Sequence, residues 1–117
     1  MTVGFWRKEV IEFALDHETR GAVEEQLAWI GREPANPRPY YQLAQLLRMQ
    51  WKQDEGLALL LEAVALDAGF AEAHVALAEI YAVRGDYRAA WRHARAAEEA
   101  GNGAAVDLLT RHSAPAE

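Results

Sequence analysis

The stretch that decides the fold is residues 71–104, which reads AEAHVALAEIYAVRGDYRAAWRHARAAEEAGNGA. Apolar residues recur there every three or four positions on both sides of Gly85, which is the spacing of an amphipathic helix. This spacing predicts one helix over 71–84 and a second over 86–100, with Gly85 as the stop between them and Asp86 as the cap of the second helix. Two helices of similar length joined by so short a turn are typical of a helical hairpin.

Similar apolar spacing continues along the rest of the chain and predicts further helices. They cover residues 4–16, 20–32, 38–50, 54–66 and 104–112, and residues 113–117 are expected to form a frayed tail. The Pro-Ala-Asn-Pro run at 34–37 ends the helix before it. The chain contains 24 alanines, the residue with the highest helix propensity. The sequence therefore predicts an all-α chain of six or seven helices.

The helices repeat along the chain with a constant period. A shift of 34 places Leu43 on Leu77 and Ala44 on Ala78, and it matches Ala63 with Ala97 and Gly69 with Gly103. A single helical hairpin cannot bury its apolar face, so repeated hairpins must stack, and about three are needed for stability. We therefore predict one domain of stacked hairpins.

Composition limits the classes of partner. The 117 residues carry a formal net charge of −6, which argues against a nucleic-acid binder and against charge-driven binding to an anionic membrane. No apolar run reaches the roughly 18 residues that cross a bilayer, so no membrane insertion is expected. Cysteine is absent and residues 1–10 contain no export signal, which favours a cytoplasmic protein. The excess of arginine over lysine indicates a GC-rich bacterial genome.

No residue pattern indicates catalysis. The four histidines form no pair with metal-ligand spacing, and neither a glycine-rich phosphate loop nor a nucleophile motif occurs. We therefore expect no metal, no cofactor and no enzymatic activity, although a helical-bundle enzyme with an unfamiliar site remains a third alternative. His74 takes an apolar packing position, where protonation would place a charge in a half-buried site and make packing sensitive to acid.

The repeated units resemble the tetratricopeptide repeat family, whose first helix carries an aromatic residue, then Leu and a small residue, then another aromatic residue. The matching residues in the second and third units are Tyr40, Leu43, Ala44 and Leu47, and His74, Leu77, Ala78 and Tyr81. The first unit keeps Trp6 and Phe13 but departs from the pattern at Glu9 and Val10. The resemblance implies a right-handed stack of antiparallel helical hairpins (an α-α superhelix).

The resemblance also sets the boundaries of the units. It implies three repeats over about 3–36, 37–70 and 71–104, followed by a capping helix over about 104–112. In the capping helix we expect Leu108 and Leu109 to cover the last hairpin. In each repeat, the small residue on the first helix lets the second helix approach closely. Burial of Ala44 and Ala78 is therefore the central expectation for the fold.

In the family, the first helix of each hairpin lines a concave face that binds peptides. Carrying those positions over gives Arg7, Ile11, Leu15, Arg38, Tyr41, Gln45, Arg48, Met49, Glu72, Val75, Glu79 and Val83. The resemblance thus implies a protein–protein interaction module or adaptor. We hypothesise a short peptide with apolar side chains and an acidic group near Arg38 and Arg48, because guanidinium binds carboxylate with two parallel hydrogen bonds. Solvated surface arginines are the alternative interpretation.

Trp51 lies where the family turn prefers glycine. One interpretation is that its ring packs on the following helix; the other is that it is an exposed anchor for a partner, since tryptophan is enriched at interface hot spots. The second interpretation supports a different function, in which the chain associates with itself through exposed helical seams and forms a homo-oligomer. Trp91 has two alternatives as well, packing inward or lining the convex face. The identity of a partner is not encoded in any of these patterns.

Overall fold

The computed structural model describes residues 20–112 and 114–116, and these residues form helices and turns without a strand. The helices are α1 (residues 20–32), α2 (Pro37–Met49), α3 (Gln53–Leu66), α4 (Ala71–Val83), α5 (Tyr87–Glu99) and α6 (Ala104–Arg111). The predicted helix over 4–16, with Arg7, Ile11 and Leu15, lies outside the described residues. None of the described helices has the length and hydropathy required to cross a membrane. The all-α prediction is confirmed for this part of the chain.

The ends of the helices follow from local side chains. Asn36 caps α2 because its Oδ1 accepts a hydrogen bond from the Arg38 amide at 3.0 Å, and Pro37 occupies the first helical position, where no amide donor is needed. Asp86 caps α5 as predicted, with its Oδ1 accepting from the Ala89 amide at 3.2 Å. These caps satisfy amide donors that have no partner within the helix.

The period found in the sequence is also the period of the helices. The starts of α2 and α4, at Pro37 and Ala71, are separated by one full period, and so are their ends at Met49 and Val83. The helices α3 and α5 begin at Gln53 and Tyr87, which are again one period apart. The described residues therefore contain two hairpins of equal spacing, α2–α3 and α4–α5, followed by α6.

Two apolar clusters form the core, one between the two hairpins and one between the second hairpin and α6. The first joins α2, α3 and α4, and its largest fully buried side chains are Leu60 and Leu77. The second joins α4, α5 and α6, and is made of alanines around Leu109. Ala44 and Ala78 are 0% and 1% exposed, which confirms that small side chains lie where the helices pack together. Helix α6 packs on both α4 and α5, as expected of a covering helix.

One hydrogen bond occurs at the same place in both hairpins. The Tyr40 hydroxyl donates to the carbonyl of Pro34 at 2.7 Å, and the His74 Nε2 lies 2.8 Å from the carbonyl of Ala68. Both bonds reach back by six positions, and the second pair lies one period after the first. Since a carbonyl only accepts, His74 carries its proton on Nε2. Each aromatic ring therefore ties the first turns of its helix to the loop before it.

The turns inside the two hairpins differ in one residue. Gly85 has φ 81°, and Trp51, at the equivalent position of the hairpin before it, has φ 63°. Both residues thus adopt the left-handed conformation, which glycine reaches without strain and a bulky residue does not. The Trp51 side chain is 87% exposed, so the interpretation that it packs on the following helix is wrong. Its exposure leaves the interpretation as a surface anchor open.

Ala114, in the predicted tail, makes contacts with α5 and α6. The Ala114 amide donates to the Leu109 carbonyl at 3.0 Å, and the Trp91 Nε1 donates to the Ala114 carbonyl at 3.3 Å. Ala114 also packs against the second apolar cluster. Within the predicted tail, an apolar side chain and two hydrogen bonds to its backbone groups thus place Ala114 against α5 and α6. Leu109 is buried as predicted.

Candidate functional site

A row of polar side chains connects α2 to α4. The Gln45 Nε2 donates to the Tyr41 hydroxyl at 3.4 Å, and the Arg48 Nη1 donates to the Gln45 Oε1 at 2.9 Å. The Arg48 Nη2 then lies 3.9 Å from the Glu79 carboxylate on α4. Four residues that the sequence places apart on two helices are thus brought into one network.

Gly56 makes room for the arginine of this network. A Cβ added at Gly56 would lie 2.8 Å from the Arg48 Cγ, which is closer than carbon atoms approach without displacement. The Arg48 Nε is buried without a hydrogen-bond partner among the described residues. Arg48 is therefore held between Gln45, Glu79 and the backbone of α3, and its guanidinium is only partly available to a ligand.

Arg38 has different surroundings at the other end of α2. Its guanidinium carbon lies 5.8 Å from the centroid of the Phe70 ring, and the Tyr41 ring lies 5.4 Å from the same centroid. Ten helical residues separate Arg38 from Arg48, which corresponds to about 15 Å along the axis. The two guanidinium groups have different neighbours and line different clefts, so the hypothesis of an acidic group near the two arginines becomes a choice between two separate positions.

Charged side chains on both α2 and α4 act on the Tyr41 hydroxyl. Burial raises the pKa of the Tyr41 hydroxyl above its usual value of 10.0, and the negative charges of Glu72 and Glu79 raise it further. The positive charge of Arg48 and the hydrogen bond from Gln45 act in the opposite direction. The hydroxyl is therefore neutral at physiological pH and is available as a hydrogen-bonding group.

Two clefts meet at Glu79. The first has a volume of about 370 Å³ and is lined by Gln45, Arg48, Met49, Gln53 and Glu79. The second, of about 430 Å³, lies between α4 and α6 and is lined by Glu79, Ala82, Val83, Tyr87, Leu108, Leu109, His112 and Ala114. Met49 is 69% exposed and Val83 is 89% exposed, one in each cleft. Together the two clefts, which we call the groove, pass from α2 over α4 to α6.

The residues predicted to line the peptide-binding face, where the structure describes them, lie on α2 or α4. These are Arg38, Tyr41, Gln45, Arg48, Met49, Glu72, Val75, Glu79 and Val83. Val75 differs from the others because it packs against the second apolar cluster, toward α6. The apolar cleft between α4 and α6 was not predicted. Residues 112 and 114 line it, but they were expected to form the end of the last helix and the tail, and not to contribute to a site. The only signal for it was the pair of leucines in α6.

A pair of histidines lies between α4 and α5. The Nδ1 atoms of His74 and His93 are 3.0 Å apart, and the His93 ring stacks on Tyr81 with 5.6 Å between centroids. In a neutral His74 with its proton on Nε2, the Nδ1 accepts a hydrogen bond from His93. Burial, the neighbouring His74 and the charge of Arg92 lower the pKa of His93 to about 4. His74 is buried, as its packing position predicts.

Among the described residues, the two imidazoles have no third metal-ligating side chain nearby. Across the residues that the structure describes, no three histidine or carboxylate side chains come together in a way that would hold a metal ion. The pair is therefore described as a hydrogen-bonded packing contact. The comparisons with known proteins add no assignment, since no protein-family model matches the chain and no curated protein matches it.

Proposed function

We propose that the chain is a non-enzymatic interaction module, similar to tetratricopeptide repeat proteins, that binds a peptide segment in the groove on α2, α4 and α6. The observation that carries this proposal is the junction of the two clefts at Glu79, with Met49 and Val83 exposed on either side. Exposed apolar side chains beside a concave surface are typical of ligand sites. The right-handed superhelix implied by the resemblance is part of the same proposal.

The groove offers different chemistry along its length. Between α4 and α6 the lining is mostly apolar, so a leucine-sized side chain of the peptide would bury its surface against Val83 and Leu108. Near α2 the lining is polar, and Gln45 and Glu79 present an amide and a carboxylate. Arg38 is exposed at the other end of α2 and lines neither cleft of the groove, so only a peptide that extends beyond the groove would place an acidic group there rather than at the partly engaged Arg48.

Selection from a random peptide library displayed on phage tests the proposal whatever the identity of the partner. We expect wild-type chain to select peptides with an apolar anchor, and the double substitution Met49→Asn with Val83→Asn to weaken their binding about tenfold or more. Both side chains are exposed, so the fold should be retained. The single substitution Arg38→Glu tests the position of an acidic group in the selected peptides.

The matched control is Leu27→Asn with Leu61→Asn. These leucines are exposed on α1 and α3 and line neither cleft of the groove. We expect the selected peptides to bind this control as they bind wild type. Equal binding to the Met49 and Val83 variant would refute the groove, and failure to select any peptide would refute peptide binding.

A second candidate function is self-association, and Trp51 favours it. Its ring is 87% exposed and its backbone has φ 63°, so neither packing nor local conformation stabilises a tryptophan there. Light scattering over a concentration series would show a mass above the 13.1 kDa of one chain. We then expect Trp51→Gly to return the mass to that of a monomer, whereas a monomer at all concentrations would exclude this function.

A further inference from the structure

The exposed face of α5 carries three arginines around one tryptophan. Arg88, Arg92 and Arg95 are exposed and lie three or four residues apart, so they share one side of the helix. At about 1.5 Å per residue, Arg88 is about 6 Å from Arg92 and about 10.5 Å from Arg95 along the axis. The whole chain has a formal net charge of −6, so this face is a local concentration of positive charge on an acidic protein.

The tryptophan forms the floor of a cleft. Trp91 is half-buried, its Nε1 donates to the Ala114 carbonyl, and the guanidinium carbon of Arg95 lies 5.5 Å from its ring centroid. The three arginines, Trp91, Ala96, Glu99 and Ala116 line a cleft of about 660 Å³. One side of the cleft is thus helix α5 and the other is the tail held on α5.

Two of the arginines are not neutralised by the rest of the described chain. Within residues 20–112 and 114–116, Arg88 and Arg92 form no ion pair, whereas Arg84 lies 2.7 Å from Asp54. Among the residues that the structure describes, the one acid that lines the cleft is Glu99, on the last turn of α5. The positive end of the cleft is therefore the end at Arg88 and Arg92.

We propose that this arginine face of α5 binds an acidic peptide, separately from the groove on α2, α4 and α6. In an extended peptide, side chains two residues apart point to the same side and are about 6.6 Å apart, close to the roughly 6 Å between Arg88 and Arg92. Two such carboxylates meet one guanidinium each. Trp91 offers an apolar surface for a neighbouring side chain of the peptide.

The size of the face favours a peptide over a nucleic acid. Its three arginines extend over about 10.5 Å, whereas nucleic-acid binders commonly neutralise about 6–10 phosphates. The remaining charge of the chain is negative and repels a long polyanion. A short segment with two or three carboxylates matches both the extent of the face and its isolated position.

Fluorescence anisotropy with a defined probe tests this proposal. The probe is a labelled seven-residue peptide with glutamates at alternate positions, alanines between them and a phenylalanine at the centre. We expect Arg88→Glu with Arg92→Glu to weaken its binding at least about tenfold, because two attractive contacts become repulsive. The matched control Arg20→Glu with Arg32→Glu changes net charge equally on exposed positions of α1, and we expect a change below about threefold.

The salt dependence of probe binding, a glutamine version of the probe and a groove variant provide further tests of the proposal. Binding should fall as salt is raised and should disappear when the glutamates of the probe are replaced by glutamine. Met49→Asn with Val83→Asn should leave binding of this probe unchanged, so failure of the groove and failure of the arginine face are distinguishable. Equal weakening by both charge-reversal pairs, absence of binding to wild type, or tighter binding of a single-stranded oligonucleotide would each overturn the acidic-peptide assignment.

Discussion

The hairpins α2–α3 and α4–α5 have the same helix spacing but different interiors. The cluster under the first contains Leu60, Leu77 and Phe70, while the cluster under the second is made largely of alanine. Alanines bury less apolar area per residue, so the second hairpin relies more on polar and aromatic contacts, including the pair of His74 and His93. A shared period therefore fixes where helices begin and end, but not what stabilises each unit.

The largest change in stability is expected when a buried leucine is removed from the first hairpin. Leu60 is fully buried, and the equivalent position of the second hairpin is occupied by Ala94. We expect Leu60→Ala to lower the free energy of unfolding by about 2–5 kcal/mol, because the cavity cannot be refilled. Urea denaturation measures this effect. Leu61→Ala, at an exposed position on the same helix, should change stability by less than about 1 kcal/mol, and similar losses for both would contradict the comparison.

The second hairpin should respond to acid through His93. Its pKa falls from the usual 6.5 to about 4 on folding, so the unfolded chain binds more protons between these values. The stability from neutral His93 is complete above about pH 6.5 and is lost as pH falls toward 4. We expect this loss to be about 1–2 kcal/mol, since solvent screens the partly exposed ring.

Denaturation of wild type and His93→Gln at several pH values measures this contribution. Glutamine still donates a hydrogen bond toward the Nδ1 of His74 but does not titrate in this range. The neighbouring groups are His74, Tyr81 and Arg92, and all of them remain in the variant. The difference in stability between the two proteins should therefore change between pH 6.5 and 4. A constant difference would show that His93 does not carry the pH dependence.

Substitutions at the equivalent turn positions Gly85 and Trp51 should change stability by a smaller amount and in opposite directions. We expect Gly85→Ala to lower stability by about 1 kcal/mol, because φ 81° is unfavourable for alanine. Trp51→Gly should raise stability by about 0.5–1 kcal/mol, since it removes the left-handed strain but adds backbone entropy to the unfolded chain. Thermal denaturation of both variants checks the signs. A loss of stability in Trp51→Gly would mean that the tryptophan makes a stabilising contact.

The smallest expected effect concerns the hydrogen bond that the two hairpins share. Tyr40→Phe removes the hydroxyl that donates to the Pro34 carbonyl and should cost about 0.5–1 kcal/mol. The ring itself is retained, so packing against the first cluster should be unchanged. Urea denaturation with wild type as reference measures the cost. If stability is unchanged, the Tyr40 hydrogen bond has the same position as that of His74 but does not stabilise the fold.

Local patterns predicted most of the helices and part of the groove. Apolar spacing gave helix boundaries close to those observed, and Ala44 and Ala78 were predicted to be buried. The cap of α5 at Asp86 was also predicted, because capping depends on residues close in sequence. The selected residues Gln45, Arg48 and Glu79 lie together because the period places α2 beside α4.

Features that depend on contacts between distant residues were not predictable in this way. The pairing of His74 with His93 and the position of Ala114 on Trp91 join residues 19 and 23 positions apart. Of the two interpretations of Trp51, packing on the following helix was wrong, because the sequence does not show that the turn leaves the ring in solvent. The sequence likewise does not show that Arg48 lies beside Glu79, which partly neutralises its charge.

The contacts of Tyr40 and His74 with the loops before them bear on how the chain folds as it is synthesised. Each ring reaches a carbonyl only six residues earlier, so the loop that closes is short and its entropic cost is small. At that stage the preceding loop has already left the ribosome, whereas the second helix of the hairpin has not. Each contact therefore needs only its own loop and the first turns of its helix, so it can form before the second helix of the hairpin is available, although the unit becomes stable only in the packed stack.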